Sequence, residues 1–173
     1  MKTLMIAGAL TLSTVAGGAL AQSTAPAAAA KPAYDYVTIR NEAVVNKSAA
    51  EAWKKVGGYC DIKDWIAPGM AVPCVLTTGA GEVGTNRLIA NRINEVMVSK
   101  TELGYGYAQP LSPDQYHGFV EIVPTGKKTS KILYTLVYDQ SVAPDQAAKD
   151  KKRASLQGQF KKAVDNMKAI AEK

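Results

Sequence analysis

Between Ser48 and Cys74 the chain reads SAAEAWKKVGGYCDIKDWIAPGMAVPC, two short helical patterns set between strand patterns. That insert restricts the fold more than any other stretch. Ser48-x-x-Glu51 is a capping box: the Ser side chain accepts from a free N–H of the first turn, and Glu51 reaches back. Gly57-Gly58 suits the end of that helix. Ile62–Ala67 has room for another turn or two before Pro68-Gly69 stops it.

Around the insert the pattern is β. Tyr34–Val45 reads as a first strand. Val72–Thr78 and Thr85–Ala90 read as a hairpin, followed by strands over Glu95–Leu103, Tyr105–Gln109, Tyr116–Val123 and Lys131–Tyr138. Turn signals at 79–84, 91–94, 104, 110–114 and 124–128 separate them, the spacing of an antiparallel meander. The last segment changes period. Leu156, Phe160, Ala163/Val164, Met167 and Ile170/Ala171 recur at three-to-four spacing, which puts them on one helical stripe. Pro144 stands near its start, where proline is tolerated. A helix of that length needs a surface under its stripe, and the meander is the surface available. The class is α+β.

Residues 1–21 read as a signal peptide. Lys2 supplies the positive start, Leu4–Val15 the apolar run, and Ala19-Leu20-Ala21 the small-residue cleavage pattern, with cleavage near Ala21-Gln22. The run is short for a membrane span. Residues 22–33 form an Ala/Pro-rich flexible lead-in, and 34–173 a single domain. The expected location is periplasmic or secreted, without stable membrane insertion. Cys60 and Cys74 then enter an oxidising compartment, where pairing is the default. With His117 the only histidine, the sulfurs lack partners for zinc. A Cys60–Cys74 disulfide is expected, with no metal and no cofactor.

The net charge is +6, and residues 144–173 hold eight Lys/Arg against four acids. The excess therefore lies on the last helix, at Lys151, Lys152, Arg153, Lys161 and Lys162. Export and the interleaved acids argue for a solvated face and against nucleic acid. Gly79-Ala80-Gly81-Glu82-Val83-Gly84 spells G-x-G-x-x-G, but a strand pattern resumes at Thr85. A dinucleotide site needs a helix N-terminus there, so this is a glycine-rich hairpin turn. There is no G-x-S-x-G, no H-E-x-x-H and no P-loop Lys-Ser/Thr.

The order of strand, helix pair, meander and final helix resembles the SRPBCC superfamily, also called START-like or birch-pollen-allergen-like. Within it the chain is similar to the exported polyketide cyclase/dehydrase-like branch. The residues carrying the resemblance are Ser48–Trp53, Gly58–Ile62, Trp65–Pro68 and Cys74. Gly81–Arg87 with Glu95, Tyr105-Gly106-Tyr107 and Tyr116-His117-Gly118 continue it. The resemblance implies a helix-grip fold, a curved antiparallel sheet wrapped around a long C-terminal helix with two short helices after strand 1. It also implies a cavity for a small hydrophobic or aromatic molecule. Members include lipid and sterol carriers, hormone receptors, aromatic cyclases and a periplasmic accessory of methanol oxidation. Ile66-Ala67-Pro68 departs from the pattern, since many relatives place a His between the Trp and the Pro.

Such cavities are mostly apolar with a few orienting polar groups. Trp65, Tyr105, Tyr107, Tyr116, Tyr134 and Phe160 are the candidate ligand-facing aromatics, against ordinary strand and helix packing for each. Arg87 with Glu95 and Glu102 is a candidate for orienting a polar ligand, against cross-strand pairing on the solvent face, the favoured reading. His117, with Glu121 on the same strand face, is the candidate acid–base pair for a cyclisation or dehydration. If Tyr116, Gly118, Val120 and Ile122 form the inward row, His117 points outward and that chemistry fails. The expected function is ligand binding, with Met70–Val72 or Pro110–Asp114 as a gate. A cyclase/dehydratase is the alternative, and a periplasmic accessory docking on a protein partner, a dehydrogenase, through its basic helix is a third reading.

Overall fold

Strand β1 (Tyr36–Val45) opens the fold, and the chain then leaves the sheet for α1 (Ala49–Val56) and α2 (Ile62–Trp65). The computed structural model describes residues 33–173, so the expected signal peptide and nearly all of the lead-in lie outside the described residues. Six strands follow: β2 (Cys74–Thr78), β3 (Asn86–Ile89), β4 (Ile93–Thr101), β5 (Gly104–Ala108), β6 (His117–Gly126) and β7 (Thr129–Asp139). A short 3₁₀ turn at Gln140–Val142 leads into α3 (Gln146–Ala171). Elements begin and end within a few residues of the sequence expectation; Tyr116 is the displaced residue that matters, just before β6 rather than in it.

All seven strands lie in one antiparallel sheet, ordered β1-β7-β6-β5-β4-β3-β2. The meander explains the order: each hairpin adds a neighbour, and β7 closes back on β1 because the helical insert removed the chain after β1. A register shift between Met97 and Ser99 in β4 adds a residue to one strand and bends the sheet locally. The capping box forms as read, with Ser48 Oγ accepting from Glu51 N–H and Glu51 Oε2 accepting from Ser48 N–H at 3.1 Å. The G-x-G-x-x-G run is a turn between β2 and β3 with positive φ at Gly79, Gly81 and Gly84.

Helix α3 lays Phe160, Ala163, Val164, Met167 and Ala171 against the sheet, each buried. Alternation on β7 turns Ile132, Tyr134 and Leu136 inward to meet them. A disulfide joins Cys60 and Cys74, tying the start of α2 to the start of β2. Lys149 pairs with Asp35 at 2.9 Å and Lys152 pairs with buried Asp114, so two cations of the basic helix hold other elements. Lys161 and Lys168 bridge acids one turn along the helix itself. No helix among the described residues is long and apolar enough to cross a membrane.

Candidate ligand-binding cleft

A cleft of about 560 Å³ opens where α2, the ends of β3–β5 and the first half of α3 converge. One wall is Ile62 and Ile66 of α2 with Met70 and Val72 of the segment after it. The opposite wall is Leu156 and Phe160 of α3. Sheet residues Ile89, Ile93, Glu95 and Tyr107 form the floor, and Gln109, Ser112, Asp114 and Tyr116 border it from the β5–β6 connection. Both loops proposed as gates therefore flank the cleft. The β5–β6 loop is tied down near its end, where the Asp114 carboxylate accepts from Lys152 and Ser112 and its carbonyl accepts from Asp139 N–H at 2.7 Å.

Of the aromatic candidates, Tyr107, Tyr116 and Phe160 border the cleft. Trp65, Tyr105 and Tyr134 do not; they are core residues behind it. Trp65 packs edge-on against Tyr134 at 5.9 Å, and Tyr134 tilts on Phe160 at 4.8 Å. The Tyr107 and Tyr134 hydroxyls share a hydrogen bond at 2.8 Å. The chamber between sheet and helix is thus largely filled by aromatic rings, which leaves the cleft towards the start of α3. The Tyr107 ring lies against Gly118, where an added Cβ would come within 2.2 Å of Cζ. Glycine at that inward position gives the ring its place.

Arg87 and Glu95 correct the sequence reading. They face each other across β3 and β4 as expected, but inward: their side chains are 0% and 4% exposed. The reason is register. Arg87 shares a face with Ile89, and Glu95 shares one with Met97, and both rows turn to the core. Arg87 Nε donates to Glu95 Oε2 at 2.8 Å and Nη2 adds a second bond to the same oxygen. Its Nη1 donates to the Tyr59 carbonyl and to Tyr105 Oη. The guanidinium carbon sits 4.1 Å from the Tyr59 ring centre and 5.0 Å from that of Tyr107. Burial works to lower the Arg87 pKa, but its surroundings, the Glu95 carboxylate among them, raise it, so the cation stays charged. Glu95 Oε1 accepts from Gln109 Nε2 at 2.9 Å. Glu102 lies exposed in the β4–β5 turn, away from the pair.

Burial, reinforced by the Glu95 charge, raises the Tyr116 phenol pKa, and burial does the same to Tyr107 and Tyr134. All three remain protonated at neutral pH. His117 and Glu121 lie on the outer row of β6, because Gly118, Val120 and Ile122 are the buried alternates and Tyr116 is buried before them. The condition that removes an acid–base role for His117 in the cavity is met; its Nδ1 instead meets the Gln115 carbonyl. Sequence reading gave Tyr59, Gln109 and Asp114 no individual role at the site. Tyr59 sits in a turn, and no periodicity points to a turn residue's partners.

No protein-family model matches the sequence, and no curated protein does. Solved structures match the fold. A protein from Thermobifida fusca, solved by NMR, aligns with TM-score 0.60 at 21% identity, over 76% of this chain and 90% of that one. Ara h 8.0201 aligns with TM-score 0.54 at 16% identity, over 78% of this chain and 99% of its own. The fold is a helix grip. Norcoclaurine synthase from Thalictrum flavum, in complex with dopamine and hydroxybenzaldehyde, aligns with TM-score 0.54 at 17% identity, over 76% and 85%. These likenesses agree with the helix-grip fold expected from the sequence.

Proposed function

We propose that this chain is an exported binding protein that takes up a small hydrophobic or aromatic molecule in the cleft between α2, the sheet and α3. The observation that carries the reading is the cleft itself: about 560 Å³ in volume, walled largely by aliphatic and aromatic side chains, with Glu95 buried at its floor and Arg92, Asp114, Lys152 and Gln159 among the polar residues bordering it. That composition suits non-covalent capture, in which burial of apolar ligand surface supplies the affinity and the polar groups fix orientation. A carrier or receptor needs nothing more. The outward position of His117 and Glu121 supports binding over a cyclase or dehydratase, because the acid–base pair expected for that chemistry does not border the cleft. The disulfide fits an oxidising compartment. The role of accessory to a dehydrogenase rests on the basic helix alone, and Lys149, Lys152, Lys161 and Lys168 of that helix are engaged with the chain's own acids.

The test is native mass spectrometry of the protein purified from the periplasm of its own cells, followed by denaturing extraction. A stoichiometric isoprenoid, lipid or aromatic compound is the expected result. An empty protein that also fails to take up apolar probes at millimolar concentration would sink the binding reading.

A further inference from the structure

We propose that the recess between α1, the glycine turn at 79–84 and the start of β5 is a second ligand site, separate from the cleft, and that it takes a planar aromatic carboxylic acid. The recess has a volume of about 360 Å³. Trp53, Tyr105 and Met97 supply its apolar surface, and Lys54 and Lys100 bring the charge. It shares no lining residue with the cleft. Arg87 stands between the two. Its guanidinium carbon is 4.1 Å from the ring centre of Tyr59, which borders the recess, and 5.0 Å from that of Tyr107, which borders the cleft. Occupancy of one site does not require occupancy of the other.

Two features select the ligand. The first is the half-buried indole of Trp53, which lies back over the end of α1, where a Cβ added at Gly57 would come within 2.3 Å of the ring. Its ring centre is 5.9 Å from that of Tyr105 at an interplanar angle of 54°, so the pair forms an angled aromatic wall. A flat ring buries more area on such a wall than a compact group does. The second feature is charge. Lys54 has no carboxylate partner among the described residues, and Lys100 donates to the Gly81 carbonyl. No carboxylate lines the recess; those of Asp61 and Glu82 accept from the Gly58 and Ala80 N–H groups instead. The glycine turn is not a phosphate cradle, because its Ala80 and Gly81 N–H groups are engaged by Glu82 and Thr85. The anion is therefore left to the two lysines, whose flexible ammonium groups can follow a carboxylate held by its ring.

The experiment titrates the full chain by calorimetry with 2-naphthoate, 2-naphthamide, 2-naphthylmethylamine and inorganic phosphate. In parallel, NMR follows the indole N–H signals of the two tryptophans, assigned with Trp53→Phe. Naphthoate is expected to bind about fivefold or more tightly than the amide, the amine or phosphate, the value of two exposed ion pairs. It should move the Trp53 signal and leave that of Trp65, buried in the core, in place. Lys54→Gln with Lys100→Gln should erase the preference for acid over amide, and high salt should shrink it. Both lysines are exposed, so the double variant should fold; if it does not, the acid–amide ratio and the Trp53 signal of the native chain decide. Equal affinity for acid and amide, a preference that survives the double variant, or no binding of naphthoate at millimolar concentration would each overturn the second site. Naphthoate that displaces an apolar dye and moves only the Trp65 signal has entered the cleft, which also overturns the second site while the binding reading stands.

Discussion

Arg87 is the residue on which the interior turns. Its charge is fully enclosed, and Glu95, the Tyr59 carbonyl and three aromatic faces share the work of replacing water. Removing it should leave the Glu95 carboxylate buried without a partner. Arg87→Met is expected to lose about 3–5 kcal/mol in urea denaturation, while Arg87→Met with Glu95→Met should recover much of that loss. If the double variant is as unstable as the single, the cost lies in shape and not in charge. Gly118 makes a second residue-scale case. A methyl group there would meet Tyr107 Cζ at 2.2 Å and Oη at 2.3 Å, too close for any contact. Gly118→Ala should destabilise by about 1–3 kcal/mol as an overpacked core position. The ring would be pushed from Tyr134 towards the cleft, so probe affinity should fall with stability. An unchanged affinity would mean that Tyr107 can move without narrowing the cleft.

Among the elements, the segment from Cys60 to Cys74 matters most to the proposed binding. It carries α2 and one complete wall of the cleft, Ile62, Ile66, Met70 and Val72. Beyond the disulfide, its polar ties to the rest of the fold include the Pro73 carbonyl accepting from Ala90 N–H at 2.8 Å and the Trp65 carbonyl accepting from Asn166 at 2.9 Å. Trp65, fully buried, is its apolar anchor. Cys60→Ser with Cys74→Ser should cost about 3 kcal/mol from the entropy of a loop near 15 residues. It should also weaken apolar-probe binding, because the wall is then held by packing alone. Equal affinity in the disulfide-free variant would assign the bond to stability only. Helix α3 behaves differently: its stripe is anchored along its length, and Lys149 and Lys152 pin its first turns to Asp35 and Asp114.

For the whole molecule, the carboxylates that tie the flanks of β1 to β7 and α3 set the acid limit. Asp139 is held below the ordinary 3.8 first by a hydrogen bond from Asp35 N–H, and Asp35 by the hydrogen bonds of Lys149 and Gln140. Glu172, bonded by Asn46 N–H, lies below its ordinary 4.5. Each carboxyl has a folded pKa below its unfolded one, so each adds stability at higher pH that is lost as pH falls through the folded value. The urea midpoint should therefore stay level from pH 7 to about 5 and fall below about 4. Asp139→Asn should lower the plateau and shallow the acid fall. A decline already present between pH 7 and 6 would contradict this assignment.

How far the sequence reached can be judged residue by residue. Ser48-x-x-Glu51, the glycine turn at 79–84, the Phe160–Ala171 stripe and the meander were legible because each is local: a cap, a φ requirement or a period lies within a few residues. The Cys60–Cys74 bond was legible from the number of cysteines and the compartment expected for them. Among the aromatic candidates, only packing placed Tyr107, Tyr116 and Phe160 on the cleft and Trp65, Tyr105 and Tyr134 in the core. The inward turn of Arg87 and Glu95 escaped sequence reading for a related reason. A charged pair on neighbouring strands fits either face, and the choice depends on Tyr59 and on Tyr105 and Gln109, which come from two other parts of the chain. By itself the sequence determined the elements, their order and the closing helix, because short-range sterics and hydrogen bonding specify those. The tertiary structure decided which side chains line the cleft and which charge is buried, because those follow from contacts between residues far apart in the chain.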